Sequence, residues 1–333
     1  MLIRFLLIFG FLLSSVSLVS LADNAQNNAP PAGGIEEILV VGEQPGPALW
    51  RVSKGEHVMW VLGTYTPLPQ KMTWHSELVE SVLENSQEVI LPPLPKANIG
   101  FFKGLSLIPS MVGVKENPDG KKLNEILPPE EYAHWLILKE KYLGKNNSVE
   151  KMRPLFAAEE LYQKAINKVG LSTHDEITDK ISTLAKQHKI TVTPPIVTFD
   201  FEGLKDTIQK FKKSSLNDVV CFEKTIARLE TDLDAMRLRA NAWAIGDINK
   251  LNSLPFQNQD TECNTAFLDS AVVQKSSLGG MQTRLRNAWL SDVKKSLLNN
   301  MSTFAVLPID KFYGKEGYLD ILQSEGYIVE SPK

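Results

Sequence analysis

The chain has 333 residues, 36 Lys and Arg against 39 Asp and Glu, a formal net charge of -3, and 43% hydrophobic residues. This composition excludes wholesale disorder, and the balanced charge argues against a nucleic-acid partner, which needs a basic surface. The two cysteines exclude a Cys-rich scaffold and a four-cysteine zinc site.

The first 22 residues have the pattern of a secretory signal peptide. Arg4 is followed by an apolar stretch, and the small residues Ser20-Leu21-Ala22 predict cleavage after Ala22. The alternative is an uncleaved anchor, since residues 5–22 carry no charge. We therefore expect a periplasmic or extracellular protein, with no membrane span after cleavage. Residues 23–35 are polar and rich in Pro and Gly, which predicts a flexible linker before a domain at 36–333.

The domain begins with a pattern of short strands. The sequence predicts strands at Glu37–Val41, Ala48–Val52 and His57–Leu62, the last two forming a hairpin around Gly55, and a later strand at Glu88–Leu91 that Pro92 and Pro93 end. Between them we predict a helix with Thr73 as its N-cap and with Leu78, Val82 and Leu83 on one face.

A helical section at about 101–260 follows, and a return to mixed structure ends the chain. Pro128-Pro129 precede a predicted helix through Tyr132 and Tyr142, and further helices are predicted to begin at Pro154, at Glu176 (ending at Gln187) and at about Asn217, the last being one long helix that ends before Gly246-Asp247. Ile190–Val192 is a candidate buried strand, and 202–213 is an amphipathic helix with a solvated basic end. The final elements are a helix after Gly279-Gly280, a strand at Thr303–Leu307, a helix at Lys315–Ser324 and a strand at Tyr327–Val329. The predicted fold class is α/β (α+β), with a mixed central sheet built from the N- and C-terminal segments and a large helical insertion.

Cys221 and Cys263 both lie in the part of the chain that we expect to be exported. An even number of cysteines in an oxidising compartment predicts one disulfide. The alternative is two separate buried thiols.

Six segments in order resemble the TraB/GumN family, which includes the Tiki-type metalloproteases. They are PALWRVSKGEHVMWVLGTYTPLP, LPPEEYAHWLILKEKYLG, VEKMRPLFAAEELYQKAINKVGL, ANAWAIGDINKLNSL, RLRNAWLSDVKKSL and YGKEGYLDILQSEGYIVE. The resemblance covers nearly the whole mature chain. It implies a fold related to the erythromycin-esterase and ChaN-like α/β proteins.

The resemblance also implies a metal site that this sequence lacks. Family members with proposed hydrolase activity carry two Gly-x-x-His motifs and a Glu at the end of an early strand. Here Thr66, Lys311 and Pro92 stand at those three positions. Threonine is a poor ligand, proline offers no side-chain ligand, and lysine repels a cation. We therefore expect a non-catalytic homologue (a pseudoenzyme) that needs no metal and no other cofactor.

The expected cleft is cationic, because the resemblance places Lys311 near Arg286. Its candidate residues are Gly63, Thr64, Thr66, Arg286, Asn287, Asp310 and Lys311. The expected partner is a small anionic ligand, such as a carboxylate or a sugar acid, or an envelope protein.

Two alternatives to this reading stay open. One is a metal-dependent, peptidase-like hydrolase with displaced ligands, for which His75, at the start of the helix after Thr66, and Asp310 are the candidates. The other is an envelope interaction or scaffold protein without a small-molecule site. We expect His57 to face solvent in the hairpin, and the other histidines to be surface or capping residues of helices: His134, His174 and His188.

Overall fold

A six-stranded mixed sheet is the centre of the structure, a computed structural model that describes residues 46–200, 203–254, 259–314 and 316–332. The strand order is β10-β1-β2-β9-β4-β7. The bounds are β1 Leu49–Lys54, β2 His57–Thr64, β4 Glu88–Ile90, β7 Thr191–Thr193, β9 Ser302–Pro308 and β10 Ile328–Glu330. Two smaller two-stranded sheets pair β3 (Leu68–Pro69) with β6 (Leu171–Ser172) and β5 (Leu94–Asn98) with β8 (Ile196–Asp200).

The sheet is antiparallel on one side and parallel on the other. Strand β1 pairs antiparallel with β10 and β2, whereas β9 is parallel to β2 and β4, and β4 is parallel to β7. The predicted hairpin is confirmed, and Gly55 adopts the positive φ of 61° that its turn needs. Strand β9, from the C-terminal part of the chain, therefore lies between two N-terminal strands.

The helices cover both faces of the sheet and form a separate layer beyond it. In the described residues they are α1 Glu77–Glu84, α2 Phe101–Met111, α3 Pro129–Tyr142, α4 Pro154–Lys168, α5 Glu176–Gln187, α6 Leu204–Lys213, α7 Val219–Thr231, α8 Leu233–Ala244, α9 Ile248–Ser253, α10 Gln259–Leu268, α11 Ala271–Gln274, α12 Met281–Asn299 and α13 Tyr318–Ser324. The predicted mixed α/β class is confirmed. No helix in the described ranges is long and apolar enough to cross a bilayer.

Alternate residues of the central strands enter two different cores, as the twofold period of a strand requires. Leu62, Phe304 and Val306 pack with α1, α5 and α8 on one face. Ala305 and Leu307 pack with α12 and α13 on the other. The strands are therefore buried on both faces, which is the usual state of a parallel sheet between helices.

The helical section has its own core. Trp135, Leu161, Phe222 and Met236 are fully or almost fully buried in one cluster, which α3, α4, α7 and α8 contribute. The Cys221–Cys263 disulfide joins α7 to α10, as the sequence predicted.

Several helix predictions need correction. The helix after β3 has Ser76 rather than Thr73 as its N-cap, and it buries Val79 and Leu83 while Leu78 stays 55% exposed. The single helix predicted from about Asn217 is wrong, because a bend at Asp232, with φ −115° and ψ −1°, separates α7 from α8. Its carboxylate is buried between two arginines, as described below.

Two smaller corrections concern strand β7 and the last helix, and one predicted strand is not described. Strand β7 is a partly exposed edge strand at Thr191–Thr193, not a buried strand at Ile190–Val192. Helix α13 begins at Tyr318 rather than Lys315, because Gly314, with φ 107°, and the extended Gly317 precede it. The predicted strand Glu37–Val41 lies outside the described residues, as do the predicted signal peptide and linker.

Candidate functional site

The carboxyl ends of β2, β9 and β4 lie at one edge of the sheet. These three strands are parallel, and the register places Thr64 of β2 beside Pro308 of β9 and Ile90 of β4 beside Ala305. Open α/β sheets bind ligands outside the carboxyl ends of their strands. The residues that follow β2, β9 and β4 therefore define the candidate site.

At Gly63, near the end of β2, the backbone packs closely against the turn that follows β9. A Cβ atom at this position would lie 3.1 Å from Cζ of Phe312 and 3.2 Å from Cβ of Ile309, so only glycine fits without a shift of these side chains. Its carbonyl accepts a hydrogen bond of 2.6 Å from Nε1 of Trp243, in α8. Thr64 is buried, whereas Thr66 is exposed at the rim.

The turn after β9 carries the first of two ion pairs. A 3-10 turn, Ile309–Lys311, leaves the strand, and Nζ of Lys311 donates to Oδ2 of Asp310 at 2.7 Å. Both side chains are a little under half exposed, at 44% and 45%. Lys311 is thus already paired with its own neighbour.

Arg286, in α12, forms the second pair. Its Nη1 lies 3.0 Å from Oε2 of Glu316, and its side chain is 15% exposed while that of Glu316 is 68% exposed. Its Nε is buried and makes no hydrogen bond within the described part of the chain. Asn287 is exposed, and successive helix positions point about 100° apart, so it does not share the direction of Arg286.

Charged groups from both ion pairs affect the pKa of Tyr318. Burial raises the pKa of Tyr318 to about 12, while Arg286 lowers it and Asp310 and Glu316 raise it further. Its hydroxyl therefore stays neutral at ordinary pH. The two cations and two carboxylates of these ion pairs carry a formal charge of zero together.

The residues at this edge do not fit a divalent metal. Pro92 is buried two residues beyond the end of β4 and offers no ligand atom. His75 precedes α1 rather than starting it, is exposed, and has its Nδ1 3.8 Å from Oε2 of Glu77. Among the described residues, no group of three or more His, Cys, Asp and Glu side chains is placed to hold an ion.

The other histidines make separate local contacts. Nδ1 of His57 is 2.7 Å from the carbonyl oxygen of Asn300, so His57 is half-buried rather than facing solvent as expected. The remaining three pair with carboxylates: His134 with Glu230, His174 with Asp179 and His188 with Glu84.

A buried charged network behind the β2 loop was not predicted. Nε of Arg239 donates to the hydroxyl of Tyr65 at 2.9 Å, and the same guanidinium pairs with Asp232. Nε of Arg228 lies 3.6 Å from the same carboxylate oxygen of Asp232. Burial raises the pKa of Tyr65, which Arg239 opposes.

The sequence contains one signal for this buried network. Positions 228, 232 and 239 share a helical face with the apolar stripe of Leu229 and Met236. Charged residues on a buried stripe indicate internal ion pairs. The network fixes Tyr65, which lies between the two candidate residues Thr64 and Thr66.

The fold and this edge define a class: a mixed α/β protein with helices on both faces of its sheet and a polar site at the carboxyl ends of three parallel strands. The TraB/PrgY/gumN family profile matches residues 48–331. The chain therefore belongs to the TraB/PrgY/gumN family. No curated protein and no solved structure matches it.

Proposed function

We propose that this chain is an exported, non-catalytic member of the family, with a metal-free cleft that binds an anionic group. The observation that carries the proposal is the identity of the three residues at the ligand positions. Thr66, Pro92 and Lys311 offer no histidine or carboxylate there, and the ammonium group of Lys311 opposes a cation by Coulomb repulsion. The fold that surrounded the ancestral site is retained.

The two ion pairs favour a ligand with a carboxylate. Glu316 is 68% exposed while Arg286 is 15% exposed, so a ligand carboxylate can take the place of Glu316 beside a largely buried guanidinium. A ligand carboxylate gains a charge-assisted hydrogen bond from a guanidinium that is already held in place. Lys311 can exchange Asp310 for the same ligand, since both side chains are partly exposed.

Two features support export. Residues 1–22 have the three-part pattern of a signal peptide. The Cys221–Cys263 disulfide is of the kind that persists in oxidising compartments. We place the mature protein in the periplasm or outside the cell.

The test is the metal content of residues 23–333, purified from an exporting host without chelator. We expect near-zero manganese, zinc and iron per chain, before and after incubation with each ion. The variant T66H/P92E/K311H restores the ligand types and should bind about one ion per chain. A matched variant, T66A/P92A/K311A, controls for the substitutions themselves.

One bound ion per wild-type chain would overturn the metal-free reading and make a hydrolase with displaced ligands the leading candidate. His75→Ala then tests the assignment of His75.

Anion binding is measured separately, by calorimetry with galacturonate and citrate as probes. We expect Arg286→Met to weaken binding at least about tenfold, the value of one charge-assisted hydrogen bond, and Arg284→Met, two positions earlier on α12, to leave it unchanged.

A further inference from the structure

Helix α2 presents an apolar stripe to solvent. Leu105, Ile108 and Val112 are 48%, 37% and 72% exposed. Their spacing of three and four positions places them on one face of the helix and its C-cap. The opposite face buries Leu107 and Ser110. In the part of the chain that is described, nothing covers this stripe.

A cationic helix lies directly beside the stripe. Nζ of Lys212, in α6, donates to the carbonyl oxygen of Val112 at 2.7 Å. Helix α6 contains four lysines and one acidic residue, Asp206. It is fixed to the protein by its buried Ile208 and Phe211.

Lys205 and Lys212 lie on the same flank of α6, the flank that contacts α2 through Lys212. Positions 205 and 212 are seven residues apart and so project from the helix axis in nearly the same direction, whereas position 213 projects about 100° away from position 212. Lys205 and Lys213 are exposed. The apolar stripe thus has a helix of net positive charge along one side.

We propose that this α2–α6 surface, formed by Leu105, Ile108 and Val112 with Lys205, Lys212 and Lys213, binds a bilayer that carries anionic lipid headgroups. Exposed apolar side chains insert at the boundary between headgroups and acyl chains, and neighbouring lysines bind the phosphates. The proposal uses no residue of the candidate cleft and does not depend on the proposed function.

The size and charge of the surface favour a bilayer over a protein partner. Three apolar side chains on one helix are small beside the roughly 800 Å² that each partner buries in a standard protein interface. Shallow insertion into a membrane needs only a few such side chains when lysines add their attraction to anionic lipid. Charge complementarity therefore selects the anionic bilayer.

The experiment is vesicle flotation with residues 23–333, which retain every described residue and lack the apolar N-terminal stretch. We expect binding to vesicles of about 30 mol % phosphatidylglycerol in phosphatidylcholine, little binding to phosphatidylcholine alone, and loss of binding in about 0.5 M salt. Leu105→Ser with Val112→Ser should lower the partition coefficient at least about tenfold. Lys205→Gln with Lys213→Gln should lower it about fivefold for each lysine.

Matched variants distinguish binding through this surface from nonspecific binding through other exposed apolar side chains. Ile137 and Leu298 are 67% and 72% exposed on other helices, and their double serine variant should bind as the wild type does. Lys205→Arg with Lys213→Arg should also retain binding. Equal binding to the two kinds of vesicle, or unchanged binding of either α2–α6 variant, would overturn the proposal and leave a protein partner as the occupant of the stripe.

Discussion

At the scale of single residues, Gly63 sets the geometry of the candidate cleft. We expect Gly63→Ala to lower the free energy of unfolding by about 1–3 kcal/mol, because the new methyl group overpacks against buried neighbours. Phe312 is fully buried and cannot turn away from it. Urea denaturation of the purified variant measures the effect.

The double variant with Phe312→Leu identifies the cause. Shortening the ring removes the contact at 3.1 Å, so the two substitutions together should cost less than the sum of their separate effects. A coupling of about 0.5 kcal/mol or more is expected for residues in direct contact. Strictly additive effects would mean that Gly63 is needed for another reason.

The types of the site residues were readable from the sequence, but their partners were not. Thr66, Pro92 and Lys311 are identified by their place in the resemblance, without any geometry. The pairing of Arg286 with Glu316 joins residues from α12 and from the loop before α13, and no local pattern contains it. Lys311 and Asp310 are adjacent in sequence, yet adjacent residues pair only when the backbone turns, as the 3-10 turn does here.

At the scale of elements, the disulfide joins two helices that are distant in sequence. Cys221 and Cys263 are separated by 42 positions, and closing a loop of that length stabilises the folded state by at most about 4 kcal/mol. We expect Cys221→Ala with Cys263→Ala to lower the stability by up to this amount. Reductant should produce a similar loss in the wild type and none in the variant. If reduction produces free thiols in the wild type but leaves its free energy of unfolding unchanged, the prediction is wrong.

Elements with strong local signals were predicted well, and those that depend on tertiary contacts were not. Helices that begin at Pro129 and Pro154 and the helix Glu176–Gln187 agree with the structure because proline at the first turn and an Asp cap define their starts. The break at Asp232 was missed because the local pattern there is helical on both sides. Asp232 is buried there and pairs with Arg228 and Arg239, contacts that only the folded protein shows.

At the scale of the whole molecule, the sheet joins the two ends of the domain. Strand β9 lies between β2 and β4, and β10 pairs with β1 in the register Val52 with Val329. The sequence predicted this arrangement in outline, as a sheet built from both terminal segments. It did not predict the strand order, because parallel strands with buried runs carry no signal for which neighbour they join.

This topology predicts that neither part of the chain folds without the other. A fragment ending at Gly279 lacks β9, so its remaining strands of the central sheet form only the separate pairs β1–β2 and β4–β7. Residues 280–333 provide β9, α12, α13 and β10 but no neighbouring strand for β9. We expect no cooperative unfolding from either fragment alone, since two-stranded units are marginal in water.

When the two fragments are refolded together, they should form a one-to-one complex with the circular dichroism of the intact chain, because β9 then regains both neighbours. Cooperative unfolding of the first fragment alone, measured with urea, would show that the helical core around Trp135 and Phe222 folds independently of the sheet.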